Sequence, residues 1–107
     1  MSPFATSKIL QFSSDVEYSL GGIVSKRVLE KTTGNVSLFA FDKGQKLSEH
    51  SAPFDALVQV IEGEVDITIN KEPFCLKAGQ AIIMPANVPH AVHATEQFKM
   101  LLTMIKS

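Results

Sequence analysis

The sequence contains no tryptophan, one tyrosine and a single cysteine, Cys75. With one cysteine the chain cannot form an internal disulfide, whereas small secreted domains more often carry several. No block of apolar residues follows Lys8, so the first residues do not match a signal peptide. The apolar runs are also far shorter than the ~20 residues that a membrane-spanning helix needs. We therefore expect a cytoplasmic protein with no membrane partner.

An excess of charge of either sign is missing as well. The chain has 10 Lys and Arg residues against 11 Asp and Glu residues, which gives a formal net charge of −1. A nucleic-acid-binding protein needs a basic surface to displace counterions from phosphates, so we expect no nucleic-acid partner. The chain has 107 residues, of which 45% are hydrophobic and 20% charged, and this composition indicates one globular domain.

Turn-forming residues recur at short intervals along the chain. They occupy positions 21–22, 33–35, 42–44, 62–63, 70–73, 78–79 and 85–87. Between them, residues 65–69 alternate apolar and polar side chains with the period of two that is typical of a half-buried strand. Segments 57–61, 74–76 and 81–84 are similarly rich in strand-forming residues. Many short strands separated by regular turns favour an all-β sandwich or barrel.

The two ends of the chain have weaker patterns. In residues 97–105, positions 98, 100, 102 and 104 alternate as in a strand, but positions 98, 101, 102 and 105 also fit a helical stripe. We favour a strand, because no convincing helix N-cap precedes this segment. Residues 1–21 show weak periodicity and are predicted to pack as an arm or edge strand against a core barrel of about residues 22–106.

Two blocks, residues 44–63 and 79–94, carry glycine, histidine and proline at a distinctive spacing. They resemble the two signature motifs of the cupin superfamily, in its small single-domain branch of conserved-barrel proteins. The residues that fall on motif positions are Gly44, His50, Gly63, Gly79, Pro85 and His90. Asn87 stands where the second motif has glycine, a tolerable exchange because asparagine accepts a positive φ better than most residues.

The resemblance implies an all-β fold, a single antiparallel β-barrel of the jelly-roll type with six to eight strands, over the single domain 1–107. Closing the sheet into a barrel also protects its edge strands. Small cupins commonly form homodimers by packing or exchanging strands. The resemblance therefore implies a homodimer here, with the N-terminal arm as the candidate for the exchanged segment.

In cupins, two histidines and a glutamate of the first motif and one histidine of the second converge on a metal. In this chain Ala52 replaces the second histidine and Ala56 replaces the glutamate, which leaves His50 and His90. Two imidazoles alone are a poor chelate, since three or four protein ligands are usual. We predict a degenerate metal site. If a divalent transition metal (Fe, Mn, Ni or Zn) is bound, His50 and His90 are its predicted ligands.

Four nearby residues could in principle replace the missing ligands. Asp55 could serve as a third ligand only if it lies in the loop before the strand, which Pro53 would permit. Glu49, Gln59 and His93 are out of phase with the motif positions, because adjacent strand residues point to opposite faces. Asp55 is therefore the one further metal-ligand candidate.

Loss of a histidine and a glutamate leaves a larger and less polar barrel interior. The predicted pocket for a small organic ligand is lined by His50, His90, Ala52, Ala56 and Met84. In this hypothesis the imidazoles anchor a carboxylate, phenol or enol oxygen. One alternative is a metal-dependent dioxygenase or isomerase, and another is a non-catalytic dimeric accessory or sensing protein. Fold alone does not decide among them, and the sequence identifies no catalytic residue.

Overall fold

A computed structural model describes residues 4–106 and folds them into eight β-strands preceded by one helical turn. The turn is α1 (Phe12–Asp15), and the strands are β1 (Ile23–Lys31), β2 (Gly34–Phe41), β3 (Lys46–His50), β4 (Asp55–Ile69), β5 (Glu72–Lys77), β6 (Ala81–Met84), β7 (His90–His93) and β8 (Phe98–Ile105). Every strand pairing is antiparallel.

One continuous sheet curls around the long strand β4, in the order β1-β2-β8-β4-β7-β3. Residues 55–63 of β4 pair with β8 and β6, and together with β2 and β1 they form what we call the long wall. Residues 64–69 of β4 pair with β5 and β7, and with β3 they form the short wall. This architecture confirms the predicted antiparallel jelly-roll barrel.

The bend in β4 is located at Gly63. The turn predicted at positions 62–63 is absent, because the strand runs through them without a break. The pairing of β4 with β8 shifts register between Val60 and Glu62, as in a β-bulge, and Gly63 has φ +83°. Glycine adopts this left-handed conformation without penalty, so one strand can bend from the long wall into the short wall.

The main core fills the space between the two walls. Phe41 and Phe98 are fully buried there, with stacked rings whose centroids lie 4.7 Å apart. Buried aliphatic side chains from both halves of β4 surround them, including Val58 on the long wall and Ile67 on the short wall. Burial of these side chains supplies the main driving force for closing the sheet.

A second, smaller core lies on the outer face of the long wall, under the N-terminal arm. Val16 of the arm is fully buried against a cluster that includes Leu38 and Ala40 of β2. The arm contains the helical turn α1 instead of an edge strand. Lys26 Nζ donates a hydrogen bond to the Asp15 carbonyl at 2.7 Å, which fastens the turn to β1.

Apolar cover on both faces explains the ambiguous pattern at the C-terminal end. Residues 98–105 form strand β8, which confirms the strand prediction. Phe98, Met100 and Leu102 pack in the barrel core, whereas Leu101 packs in the outer core under the arm. Because both faces of β8 are covered, its apolar residues are nearly continuous and imitate a helical stripe.

Cys75, the single cysteine of the chain, is exposed on β5. Partial desolvation of the thiol raises the pKa of Cys75, and the nearby carboxylates of Glu64 and Asp66 raise it further. A raised pKa disfavours the reactive thiolate form, so Cys75 is not a candidate nucleophile.

Within residues 4–106, no helix is both long enough and apolar enough to span a membrane.

Candidate functional site

Strands β3 and β7 bring the two motif histidines together at the edge of the short wall. His50 and His90 are directly paired across these strands. Their rings meet edge to face with centroids 4.3 Å apart, and the two Nε2 atoms are 3.1 Å from each other. Forty residues of sequence separate the two imidazoles, and the antiparallel register alone places them side by side.

The other ring nitrogen of each histidine is held by the backbone. His50 Nδ1 lies 2.7 Å from the Ser48 carbonyl oxygen, and His90 Nδ1 lies 3.2 Å from the Val88 carbonyl oxygen. A carbonyl can only accept a hydrogen bond, so both Nδ1 atoms carry the proton. When both rings are neutral, both Nε2 atoms are therefore acceptors. Two acceptors cannot hydrogen-bond to each other, so the pair needs a donor. The donor is either a proton shared between the two Nε2 atoms or a donor group of another molecule.

The two histidines differ in burial. His50 is exposed, whereas only 7% of His90 is exposed. Burial lowers the pKa of His90 below its usual value of 6.5, and the neighbouring His50 imidazole lowers it further. The hydrogen bond to the Val88 carbonyl acts in the opposite direction but is the smaller influence. The inner member of the pair is thus held as a neutral acceptor near neutral pH.

This lowered pKa predicts a pH dependence of stability. Just below pH 6.5 the unfolded chain protonates His90 while the native ring stays neutral, so the unfolded state binds more protons. We expect the free energy of unfolding to rise with pH up to about 6.5 and then to level off. Urea unfolding between about pH 5.5 and 7.5 should show this slope. This pH slope of the free energy of unfolding should be smaller in His90→Gln and unchanged in His93→Gln. Equal slopes in the wild type and in His90→Gln would contradict the assignment of the slope to His90.

The other three predicted pocket residues lie on β4, on β6 and in the loop between β3 and β4. Ala56 of β4 is directly paired with Met84 of β6 on one side and with Met104 of β8 on the other. Ala56 and Met84 are 5% and 4% exposed, so they form an apolar floor on the long wall. Ala52 lies in the loop between β3 and β4, where its carbonyl accepts a hydrogen bond from the Asn87 amide at 2.7 Å.

Asn87 occupies the turn between β6 and β7 with φ +65°, the conformation expected from its motif position. The preceding residue in this turn, Ala86, donates its amide hydrogen to Asp55 Oδ1 at 2.8 Å. The Asp55 carboxylate therefore stabilises the turn that leads to His90. The structure does not bring Asp55 into the histidine pair as a third ligand.

The two out-of-phase candidates with ionisable side chains also lie away from the pair. Glu49 forms an exposed ion pair with Lys71 across 3.7 Å. His93, three residues after His90, is exposed at the end of β7. Both placements follow from the alternation of side chains along a strand.

The donor set does not fit a metal centre of the usual kind. Backbone-held Nδ1 atoms do orient both Nε2 atoms in the way that metal-binding histidines are oriented. However, within residues 4–106 no group of three or more His, Cys, Asp or Glu side chains could hold a metal ion. Alanine at positions 52 and 56 removes the two remaining donors. The site therefore offers two imidazole side chains and, among the described residues, no third ligand beside them.

A polar cluster on the opposite side of the long wall was not found from sequence. Tyr18 donates a hydrogen bond to Glu62 Oε2 at 2.6 Å, and Lys99 Nζ lies 3.6 Å from the same oxygen. Lys99 is 7% exposed and also donates to the Ser13 carbonyl. Burial and the hydrogen bond to Glu62 raise the pKa of Tyr18. These contacts tie the arm to the barrel, and no local sequence pattern links residues so distant in the chain.

Comparisons with known proteins agree with this architecture. Residues 37–106 match the family model of the cupin domain, Cupin_2. A conserved protein of unknown function from Streptococcus pyogenes is 35% identical, with a TM-score of 0.92 over 97% of this chain and 91% of that one. A cupin 2 conserved barrel domain protein from Leptotrichia buccalis is 45% identical, with a TM-score of 0.85 over 88% of this chain and 46% of that one.

A curated relative matches over a shorter stretch. The protein named polyketide synthase CurC from Streptomyces cyaneus is 32% identical over 60 residues. These residues are 55% of this chain and 39% of that protein, so the match spans well under half of the relative. The family match alone covers more than half of this chain, including both histidines and the apolar floor. The chain belongs to the cupin family.

Proposed function

We propose that the protein binds a small organic ligand at the paired strands β3 and β7. The Nε2 atoms of His50 and His90 would be its polar anchors. One observation carries the proposal: both Nδ1 atoms are bonded to backbone carbonyls, which leaves two imidazole acceptors 3.1 Å apart. Ligand pockets commonly combine a few convergent polar groups with an apolar lining, and in this proposal the buried side chains of Ala56 and Met84 would supply that lining.

The direction of the hydrogen bonds restricts the chemistry of the ligand. Two neutral imidazole acceptors require a donor, and a phenol, an enol or another acidic hydroxyl can donate to them. A carboxylate has no hydrogen to donate, so it fits this pair only when one ring is protonated. The lowered pKa of His90 opposes protonation of the inner ring near neutral pH. We therefore assign the anchor position to a hydroxyl group.

The metal-dependent dioxygenase or isomerase alternative would need at least one further donor at the pair. Ala52 and Ala56 supply no side-chain donor, and the Asp55 carboxylate is bonded to the Ala86 amide. The donor set therefore favours ligand binding by hydrogen bonds over coordination chemistry.

A matched pair of probes tests the hydroxyl assignment. We would titrate 4-hydroxybenzamide and 4-methoxybenzamide into uniformly labelled protein and follow the histidine ring and backbone signals by NMR. The hydroxyl probe should bind about fivefold more tightly, because one neutral hydrogen bond contributes about 1 kcal/mol. Its binding should shift the ring signals of His50 and His90. Thermal unfolding at ligand concentrations of about 100 times Kd should show a stabilisation of about 2.7 kcal/mol.

Three variants complete this test. His50→Phe and His90→Phe keep an aromatic ring but remove the acceptor, so each should weaken the preference for the hydroxyl probe, and exposed His50 is the safer change if the buried variant folds poorly. His93→Gln removes an imidazole from the same strand as His90 and should bind like the wild type. Equal affinity for both probes in the wild type, or a hydroxyl preference that is unchanged in both His50→Phe and His90→Phe, would rule the proposal out.

A further inference from the structure

The sheet holds the two histidines unequally. His90 on β7 is paired with Ile69 of the long strand β4 on one side and with His50 of β3 on the other. β3 lies at the edge of the sheet, and its register with β7 is interrupted between Leu47 and His50. The regular part of this ladder therefore ends before the pair, and it does not by itself determine where His50 lies relative to His90.

A backbone hydrogen bond joins the two chains on the other side of the pair. The loop after β3 contains Ala52, and the turn before β7 contains Asn87. The Asn87 amide donates to the Ala52 carbonyl at 2.7 Å. Ala52 is two residues after His50, and Asn87 is three residues before His90. This bond therefore limits how far the two chains can separate at the pair.

Asp55 fixes the same turn to the central strand of the barrel. The ladder between β4 and β6 ends at the pair of Ala56 and Met84, and the following residue of the turn, Pro85, has no amide hydrogen. The next amide, that of Ala86, donates instead to Asp55 Oδ1 at 2.8 Å. Asp55 is the first residue of β4, where it is paired with β8. Its carboxylate thus extends the contact between β4 and the turn beyond the end of the ladder.

Resting on the proposed function, we propose that Asp55 is a positioning residue for the histidine pair. Its carboxylate holds the Ala86 amide, the next amide of the turn holds the Ala52 carbonyl, and this carbonyl holds the segment that follows His50. Asp55 thereby keeps the exposed imidazole of His50 within hydrogen-bonding distance of His90. Without the carboxylate, the turn can move away from β4, and the edge strand that carries His50 can move with it.

This role differs from a general contribution to stability. Asp55 is exposed, and one exposed hydrogen bond is a small part of the stability of the barrel. Its loss should leave the core intact and change the geometry of the pair. The preference for a hydroxyl depends on two acceptors that converge on one donor, so it should be sensitive to the separation of the two rings.

NMR of the uniformly labelled protein tests this role without any ligand. In the wild type, nuclear Overhauser cross-peaks should connect the ring protons of His50 and His90, whose ring centroids are 4.3 Å apart. Asp55→Ala removes the acceptor, and these cross-peaks should be lost. The amide hydrogen of Ala86 should exchange with solvent about fivefold faster. The amide of Asn87 should exchange faster as well, because its bond to the loop after β3 depends on the position of the turn.

Two further variants make the test specific. Asp55→Asn keeps an acceptor oxygen, so it should restore the cross-peaks and the slow amide exchange. Asp15→Ala is the matched control, because Asp15 Oδ2 accepts a hydrogen bond of similar length, 2.9 Å, from the Gln11 amide in the arm. This control should leave the histidine signals unchanged. In the titration with the hydroxyl and methoxy probes, the hydroxyl preference should fall from about fivefold to about one in Asp55→Ala and return in Asp55→Asn.

The outcomes separate this inference from the proposed function. If the cross-peaks survive Asp55→Ala, or if Asp55→Asn or Asp15→Ala abolishes them, the positioning role is refuted and the ligand proposal stands. If the cross-peaks are lost in Asp55→Ala and restored in Asp55→Asn, but the wild type shows no hydroxyl preference, the proposed function fails and the positioning role stands. Circular dichroism of Asp55→Ala verifies that the sheet is retained.

Discussion

Replacing Gly63 with alanine is expected to lower the free energy of unfolding by about 4 kcal/mol or more. A β-carbon at this position would overlap the Gln97 carbonyl oxygen and lie 2.7 Å from Phe98 Cα, both of which are backbone atoms. In addition, φ is +83°, a conformation that costs an L-residue about 1–2 kcal/mol. The strand β4 would have to move away from β8 at the point where it bends. Urea unfolding of the variant, followed by circular dichroism, measures the loss.

Gly79 provides the matched control for this effect. It has φ +89°, but among the described residues no heavy atom lies within 4 Å of a β-carbon built there. Gly79→Ala should therefore show only the conformational cost, about 1–2 kcal/mol. The difference between the two variants isolates the steric contact with residues 97–98. Losses of equal size would mean that the close approach of β4 to β8 does not determine which side chain position 63 tolerates.

Replacing Phe98 with alanine is expected to cost about 3–5 kcal/mol, the usual range for a buried phenylalanine. Phe98 is fully buried and stacks on Phe41, and both rings lie where β2 and β8 meet in the barrel core. Truncation removes apolar burial and leaves a cavity that the close-packed strands cannot fill. Thermal and urea unfolding both measure the loss. Phe74→Ala, at a partly buried site on β5, should cost clearly less.

A double-mutant cycle separates stacking from burial at this position. If the two rings interact specifically, Phe41→Ala and Phe98→Ala together should cost about 0.5–1.5 kcal/mol less than the sum of the single changes. Strict additivity would show that each ring contributes through burial alone. All variants should retain two-state unfolding for the comparison to hold.

The motif residues carried most of the information about the site that was accessible from sequence. The resemblance to the cupin motifs implied that His50 and His90 belong to one site, and the structure places their Nε2 atoms 3.1 Å apart. The asparagine at position 87 was expected to accept a positive φ, and its φ is +65°. The sequence could not predict which ring nitrogen of each histidine carries the proton. That depends on the carbonyls of Ser48 and Val88, and backbone groups have no sequence signature.

Two features of the long wall escaped sequence reasoning for a common reason. The continuation of β4 through positions 62–63 and the ion pair between Arg27 and Glu30, which are three positions apart on β1, are each associated with a β-bulge. A bulge inserts one residue and reverses the phase of the alternation beyond it. Simple period-two reasoning therefore assigns the residues after a bulge to the wrong face. The pairing partner, which lies elsewhere in the chain, determines where the bulge occurs.

Sequence alone determined the class of fold, because glycines and prolines at regular spacing restrict the turns and alternating apolar residues restrict the strands between them. It also determined that two imidazoles remain where the cupin motifs have four metal ligands. Only the tertiary structure decided which atoms of those imidazoles are acceptors and that Asp55 stabilises a turn. These properties arise from antiparallel register between distant strands, and local side-chain patterns do not encode register once a strand is covered on both faces.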